Sequence, residues 1–298
     1  MTTVILQHFV SGEAFFTGCL CLLWGAVVAK PLPGRRRWVA WSIGLGTVLI
    51  ALSSTPLPVA AYVAWGLLGI WVLATVSPHP QQLIESDGPT SQKPNQQFRC
   101  AATANAFFVV TLSFAAWEAR YHLAPSPPSV RPQRLIVVGD SISAGIGEGE
   151  GATWPRLLMD RPSVDVVDLS RMGATVSSSL KTVEANKLPD GLVLLEIGGN
   201  DLLGGTSVVE FASALEALIQ KLSSAHEVWM FELPLPPGFQ RFGQVQRRLA
   251  ARYSIRLIPK SVLSRLILSS ESTLDSIHLT KQGHERFADR VEFLLDLN

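Results

Sequence analysis

The stretch Leu135-Ile136-Val137-Val138-Gly139-Asp140-Ser141-Ile142-Ser143 decides the fold of the C-terminal half. Four consecutive apolar residues closed by a glycine read as a short strand buried on both faces. The polar residues that follow mark a strand-to-helix turn. Working outward, a turn over 139–150 leads to a helix at 152–160, and 164–169 is a second strand. A helix at 176–186, a strand at 192–197, an amphipathic helix at 208–223 and a strand at 228–233 come next. Residues 240–252 are helical, 256–258 form a short fifth strand, and 280–295 form the closing helix. Strands alternating with helices imply an α/β fold with a parallel sheet covered on both faces. Ligands in such folds sit beyond the carboxyl ends of the strands.

The chemistry-bearing residues fall at those ends. Ser141 follows the first strand; alone, it reads equally as a nucleophile and as a helix cap. The pentapeptide G-x-S-x-G of α/β-hydrolases is absent. Arg171-Met172-Gly173-Ala174-Thr175 follows the second strand. Its glycine is either a plain turn residue or a backbone N–H brought close to a reacting oxygen. Gly198-Gly199-Asn200-Asp201 follows the third strand, and Asn200 either aims its amide at the same point or starts a helix. Asp275-Ser276-Ile277-His278 precedes the last helix. A histidine takes a proton from a serine only when its other ring nitrogen is oriented, which an Asp three residues upstream can do. His284, six residues on, reads as a structural histidine of the final helix.

The combination and its order resemble the SGNH hydrolases, also called the GDSL esterase/lipase family. The similarity spans about 134–298 and is closest to the bacterial thioesterase/lysophospholipase branch. The resemblance implies a flavodoxin-like three-layer α/β/α domain with a five-stranded parallel sheet. It implies Ser141 as nucleophile, His278 as general base and then acid, and Asp275 as the residue orienting His278. It further implies an oxyanion hole from the N–H groups of Ser141 and Gly173 and the Asn200 side chain. No metal and no organic cofactor is implied. The sequence departs from the family where an Asn often precedes the glycine of the second motif; here Asp168 to Met172 stand before Gly173. Arg171 suggests a bias toward anionic substrates.

The N-terminal part is different in kind. Residues 1–120 hold 11 of the 49 charged side chains, about 9 per cent of positions against about 21 per cent in 121–298. Uncharged intervals of 16 residues (Glu13 to Lys30), 47 (Arg37 to Glu85) and 18 (Arg99 to Glu118) match the need for about 20 apolar residues per membrane span. The longest breaks at Ser53-Ser54-Thr55-Pro56-Leu57-Pro58. Four transmembrane helices are expected, at 9–29, 38–55, 59–77 and 101–120, with Gly66 and Gly69 allowing close packing. Lys30, Arg35, Arg36 and Arg37 place their loop in the cytoplasm, and four crossings then put the C-terminal half outside. No positive n-region precedes the first apolar run, so a retained span is expected rather than a cleaved signal. Residues 121–133, with Pro125, Pro127, Pro128 and Pro132, read as a stiff spacer before the 134–298 domain.

A net charge of +1 disfavours nucleic-acid binding driven by bulk charge. The three cysteines all lie in or beside the apolar half, and no Cys/His spacing suits zinc. The expected protein is an integral membrane protein of bacterial inner-membrane type with an extracytoplasmic esterase or lysophospholipase-like acylhydrolase domain. Its substrate partner is then an acyl ester, a lipid, and Leu202-Leu203 after Asn200 are candidate acyl contacts. Competing readings are an O-acetyl esterase or acyl transferase acting on extracytoplasmic glycans, and a non-catalytic membrane sensor of acylated ligands. A chain-length series separates the first pair; a serine-directed label on Ser141 tests the last.

Overall fold

The computed structural model describes residues 2–28, 36–76, 94–147, 151–268, 273 and 278–297. The chain divides into two units, one of residues 12–120 and one of 1–11 with 121–298.

A short helix, α1 (Thr2–Val10), belongs to the second unit. The helical unit consists of α2 (Glu13–Val28), α3 (Arg36–Leu52), α4 (Val59–Val76) and α5 (Pro94–Ala119). The run expected as one helix over 9–29 is broken at Ser11-Gly12, where Gly12 adopts a positive φ of 84°. The α3–α4 turn falls at the Ser-Ser-Thr-Pro segment, as expected. Ser53 Oγ donates to Ile50 O (2.9 Å), and Tyr62 Oη donates to Thr55 O (2.7 Å), so these buried polar groups are satisfied. The close backbone approach is not at Gly66 or Gly69. It lies between α2 and α3, where a Cβ on Gly18 would stand 2.7 Å from Gly46 O and a Cβ on Gly46 2.7 Å from Gly18 O. Only glycine fits either position. Among the described residues no single helix is long and apolar enough to cross a membrane. The pair Val4–Val10 and Glu13–Val28 has the length and composition together, with a bend of 83° between them. Arg37–Leu52 and Val59–Thr75 are shorter apolar helices.

The second unit carries the expected sheet. Strands β1 (Arg134–Gly139), β2 (Asp165–Asp168), β3 (Leu192–Glu196), β4 (Glu227–Phe231) and β5 (Arg256–Ile258) are all parallel, in the order β2-β1-β3-β4-β5. Alternation along β1 explains its all-apolar composition. Leu135 and Val137 enter a core with Trp154, Leu263 and Phe287, whereas Ile136 and Val138 enter a second core with Phe211, Leu215 and Leu249. The first face is covered by α7 (Trp154–Met159), α12 (Lys260–Ile267) and α13 (Lys281–Leu295). The other is covered by α8 (Val176–Ala185), α10 (Val208–Ser223) and α11 (Gln240–Tyr253). Two one-turn helices, α6 (Ser141–Ala144) and α9 (Gly199–Leu203), stand at the carboxyl ends of β1 and β3.

Two features of this unit were not expected. Helix α1 packs on α12. The Pro-rich segment also lies against the domain rather than serving only as a spacer. The Arg247 guanidinium stacks 3.7 Å over the Tyr121 ring, and Arg256 Nη1 donates to Ser126 O (2.7 Å).

Candidate active site

The turn after β1 is built around an N-cap. Asp140 Oδ1 accepts the Ile142 N–H (3.0 Å), which closes the start of α6 and leaves Ser141 as its first residue. Thus Asp140, not Ser141, is the cap. Ser141 is 8 % exposed, nearly buried, at the carboxyl edge of the sheet. Gly139 is required by crowding, because a Cβ there would stand 2.4 Å from Ser143 Oγ.

The segment after β2 continues to pair with β1: Leu169 N–H donates to Val137 O (2.9 Å) and Arg171 N–H to Gly139 O (3.1 Å). That carries Gly173 toward the Ser141 turn. Gly173 has φ +71° and open space around its Cα, so conformation rather than packing asks for glycine. After β3, Gly198 (φ +112°) starts α9. The Asn200 Nδ2 group donates to Ala174 O (3.0 Å), and Asp201 Oδ2 accepts the Val176 N–H (2.8 Å). These two bonds staple the third motif to the second. An amide has two N–H donors, so one can hold the turn while the other serves a ligand. Asp201 was not anticipated; an acid directly after Asn200 is its only mark in the sequence.

His278 lies half-buried just ahead of α13, whose N-cap Thr280 accepts the Gly283 N–H through Oγ1 (3.1 Å). Asp275 lies outside the described residues. Burial pushes the Asp140 carboxyl up to about 6, opposed by the Ile142 N–H bond and by His278, with Asp201 adding to the rise. Burial, and then the neighbouring Asp140, hold the Glu196 carboxyl well above its ordinary range; burial also raises Asp201. His284 is structural, as expected: it is buried, and its Nδ1 accepts the Trp154 N–H (3.1 Å). Of the two candidate acyl contacts, Leu202 packs on the core, whereas Leu203 is 68 % exposed.

Hydrogen bonds thus join the segments that follow β1, β2 and β3 at one edge of the sheet. Residues 137–286 match the model of the GDSL-like Lipase/Acylhydrolase family. The chain belongs to this family. It is accordingly a hydrolase of carboxylic esters. This GDSL hydrolase is similar to Esterase TesA of Pseudomonas aeruginosa, at 30 % identity over 172 residues, covering 53 % of this chain and 86 % of that protein. It is similar to Thioesterase 1/protease 1/lysophospholipase L1 of Escherichia coli, at 28 % over 165 residues, covering 52 % and 79 %. The crystal structure of TesA aligns over 56 % of this chain and 100 % of its own, at 29 % identity and a TM-score of 0.49.

The raised carboxyls of the GDSL domain carry a consequence for stability. A carboxyl whose folded pKa exceeds its unfolded value makes the folded state bind more protons. The stability it confers is present at low pH and is lost as pH rises from the ordinary carboxylate range, near 4, past about 6. We expect the unfolding midpoint of the wild type to drop between pH 5 and pH 7.5. In Asp140→Asn, which keeps a good N-cap, the drop should be smaller. Denaturant titrations of both proteins at the two pH values check this; an equal drop would show that Asp140 does not contribute.

Proposed function

We propose that this chain is a membrane-anchored serine acylhydrolase of lysophospholipase-like type, working through Ser141, His278 and Asp275. The observation that carries the reading is the Asn200–Ala174 bond, which joins the turn after β3 to the turn after β2, itself bonded to the end of β1 through Arg171 N–H and Gly139 O, next to the buried Ser141. In this scheme Ser141 Oγ attacks the ester carbonyl while His278 takes its proton. The oxyanion accepts from the Ser141 and Gly173 N–H groups and from the second Nδ2–H of Asn200. Collapse breaks the acyl–oxygen bond, and His278 returns the proton to the leaving alcohol. A water, deprotonated by His278, then attacks the acyl-Ser141 ester; as the acyl–Oγ bond breaks, His278 returns that proton to Ser141 Oγ and the carboxylic acid is released. Asp275 orients His278.

Support for the membrane part comes from surface composition. Helices α2–α5 enclose an apolar core of Phe15, Leu22, Trp65 and Phe107, yet Leu20, Trp24, Trp41, Leu67 and Ile70 are exposed on the outside. A bundle apolar both within and without is matched to hydrocarbon rather than to water. Helices of 16 to 18 residues are about 24–27 Å long, a little short of a bilayer core of about 30 Å. A thinned or slightly deformed bilayer accommodates that mismatch. The basic loop at 30–37 orients the domain outward, where lipid esters are reachable. Exposed Leu203, three residues after Asn200, is the better candidate for an acyl contact.

The test is hydrolysis of p-nitrophenyl acetate, butyrate, octanoate and palmitate, and of lysophosphatidylcholine, by the full chain in detergent. Turnover that depends on Ser141 and rises with chain length is expected; turnover confined to acetate would overturn the lipid reading. Asn200→Ala should lower kcat by about 10²–10³. A loss confined to KM would remove Asn200 from the oxyanion hole.

A further inference from the structure

Behind the nucleophile lies a set of buried polar groups that this reaction scheme leaves unused. Glu196, the last residue of β3, is 1 % exposed, and among the described residues no Lys or Arg pairs with it. Its Oε2 accepts the Ser143 hydroxyl (2.8 Å), and Ser143 Oγ in turn accepts the indole N–H of Trp154 (3.2 Å). Its main-chain oxygen accepts the Asp140 N–H (3.1 Å). One residue therefore grips α6 immediately before and shortly after Ser141. A single helical turn is marginal on its own, because nucleation is costly and few hydrogen bonds repay it. Main-chain bonds from Ser143 and Ala144 N–H to Asp140 O, and from Gly145 N–H to Ser141 O, close this one. The Glu196 bracket supplies the rigidity that length cannot.

An acid is an expensive way to fill a core position, since an apolar residue of similar size needs no hydrogen-bond partner. We propose that Glu196 is a positioning residue for the nucleophile, holding Ser141 in register with the oxyanion donors by fixing Ser143 and Asp140. Asp140 is the titratable group that faces it, and the main-chain N–H of Trp154 donates to His284 Nδ1 on α13. The proposal rests on Ser141 being the nucleophile.

The experiment measures kcat and KM on p-nitrophenyl butyrate, and the rate at which a fluorophosphonate labels Ser141, for the full chain in detergent. Misplacing a reacting group by about 1 Å costs up to about 10²-fold. Glu196→Ala is therefore expected to lower kcat and the labelling rate by about 10- to 100-fold, with KM within about threefold. Glu196→Gln should recover most of that loss, because an amide oxygen can accept the Ser143 hydroxyl without charge. Ser143→Ala removes the same bond from the other side. It should lower kcat over the same range, and adding Glu196→Ala to it should cost little more. Ser143→Ala carries the test if Glu196→Ala does not fold. Unchanged kcat in the folded variants, with only a lower unfolding temperature, would reduce Glu196 to a core residue and overturn the proposal. Equal losses in the Gln and Ala variants would overturn it too. A wild type that resists labelling at Ser141 would instead sink the underlying reading.

Discussion

Replacing Ser141 by alanine is expected to lower ester turnover by about 10⁴-fold or more while leaving the fold intact. The two halves of this expectation have separate physical grounds. The fold should survive because the serine hydroxyl is structurally spare: among the described residues it makes no hydrogen bond, and α6 is capped by Asp140. Ala also has the higher helix propensity. Activity should vanish because no neighbour can replace the oxygen. Ser143 lies in the same turn, but it is fully buried and its hydroxyl is committed to Glu196. The check is steady-state hydrolysis of p-nitrophenyl butyrate, with mass spectrometry after fluorophosphonate treatment. The wild type should gain one adduct on Ser141 and the variant none. A variant that kept more than about a tenth of the turnover would show that another residue carries the acyl group.

Much of this arrangement is legible in the sequence, for reasons that differ by element. The five strands are recognisable because short apolar runs alternate with amphipathic stretches. Helix α10 falls on 208–223 as read, and its capping box is the cause: Ser207 Oγ accepts the Glu210 N–H, and Glu210 accepts the Ser207 N–H. The helix starts at Ser141 and Asn200 are open alternatives in the sequence because four or five residues give no periodicity; α6 and α9 depend on the Asp140 cap and on Gly198 at positive φ. Helix α12 hides behind Pro259. In the helical unit, Gly18 and Gly46 are ordinary glycines in apolar runs until α2 and α3 are brought together. The docking of the Pro-rich segment depends on Arg247 and Arg256, more than a hundred residues away. Composition could give its stiffness but not its partner.

The site divides in the same way. The places of the candidate residues Ser141, Gly173, Asn200 and His278 are readable because each follows a strand or precedes a helix in a fixed order. The groups that hold them are not. Glu196 reads as the end of an apolar strand and Asp201 as a turn residue, although one accepts the Ser143 hydroxyl of α6 and the other the Val176 N–H at the start of α8. Supporting residues act through partners distant in sequence, so their chemistry emerges only when the strand ends meet.

His278→Ala is expected to cost about as much as Ser141→Ala, and the double variant no more than either alone. The reason is that the two residues act in one step of the proposed scheme. Without a base, the serine hydroxyl remains a poor nucleophile; without the serine, the imidazole has no proton to accept. Whatever catalysis survives either change comes from binding and from the oxyanion donors around Gly173 and Asn200, and it is the same residue of activity in both cases. His278 also interacts with Asp140, whose carboxyl ionises near 6. Removing the imidazole therefore takes away a group that favours the Asp140 carboxylate, a modest structural effect beside the loss of chemistry. The measurement is kcat/KM on one ester for both single variants and the double, with fluorophosphonate labelling alongside. Labelling of Ser141 in His278→Ala should slow in parallel with turnover. Losses that multiply in the double variant would mean that Ser141 and His278 contribute independently, and the acyl-enzyme scheme would have to be rebuilt around a different base.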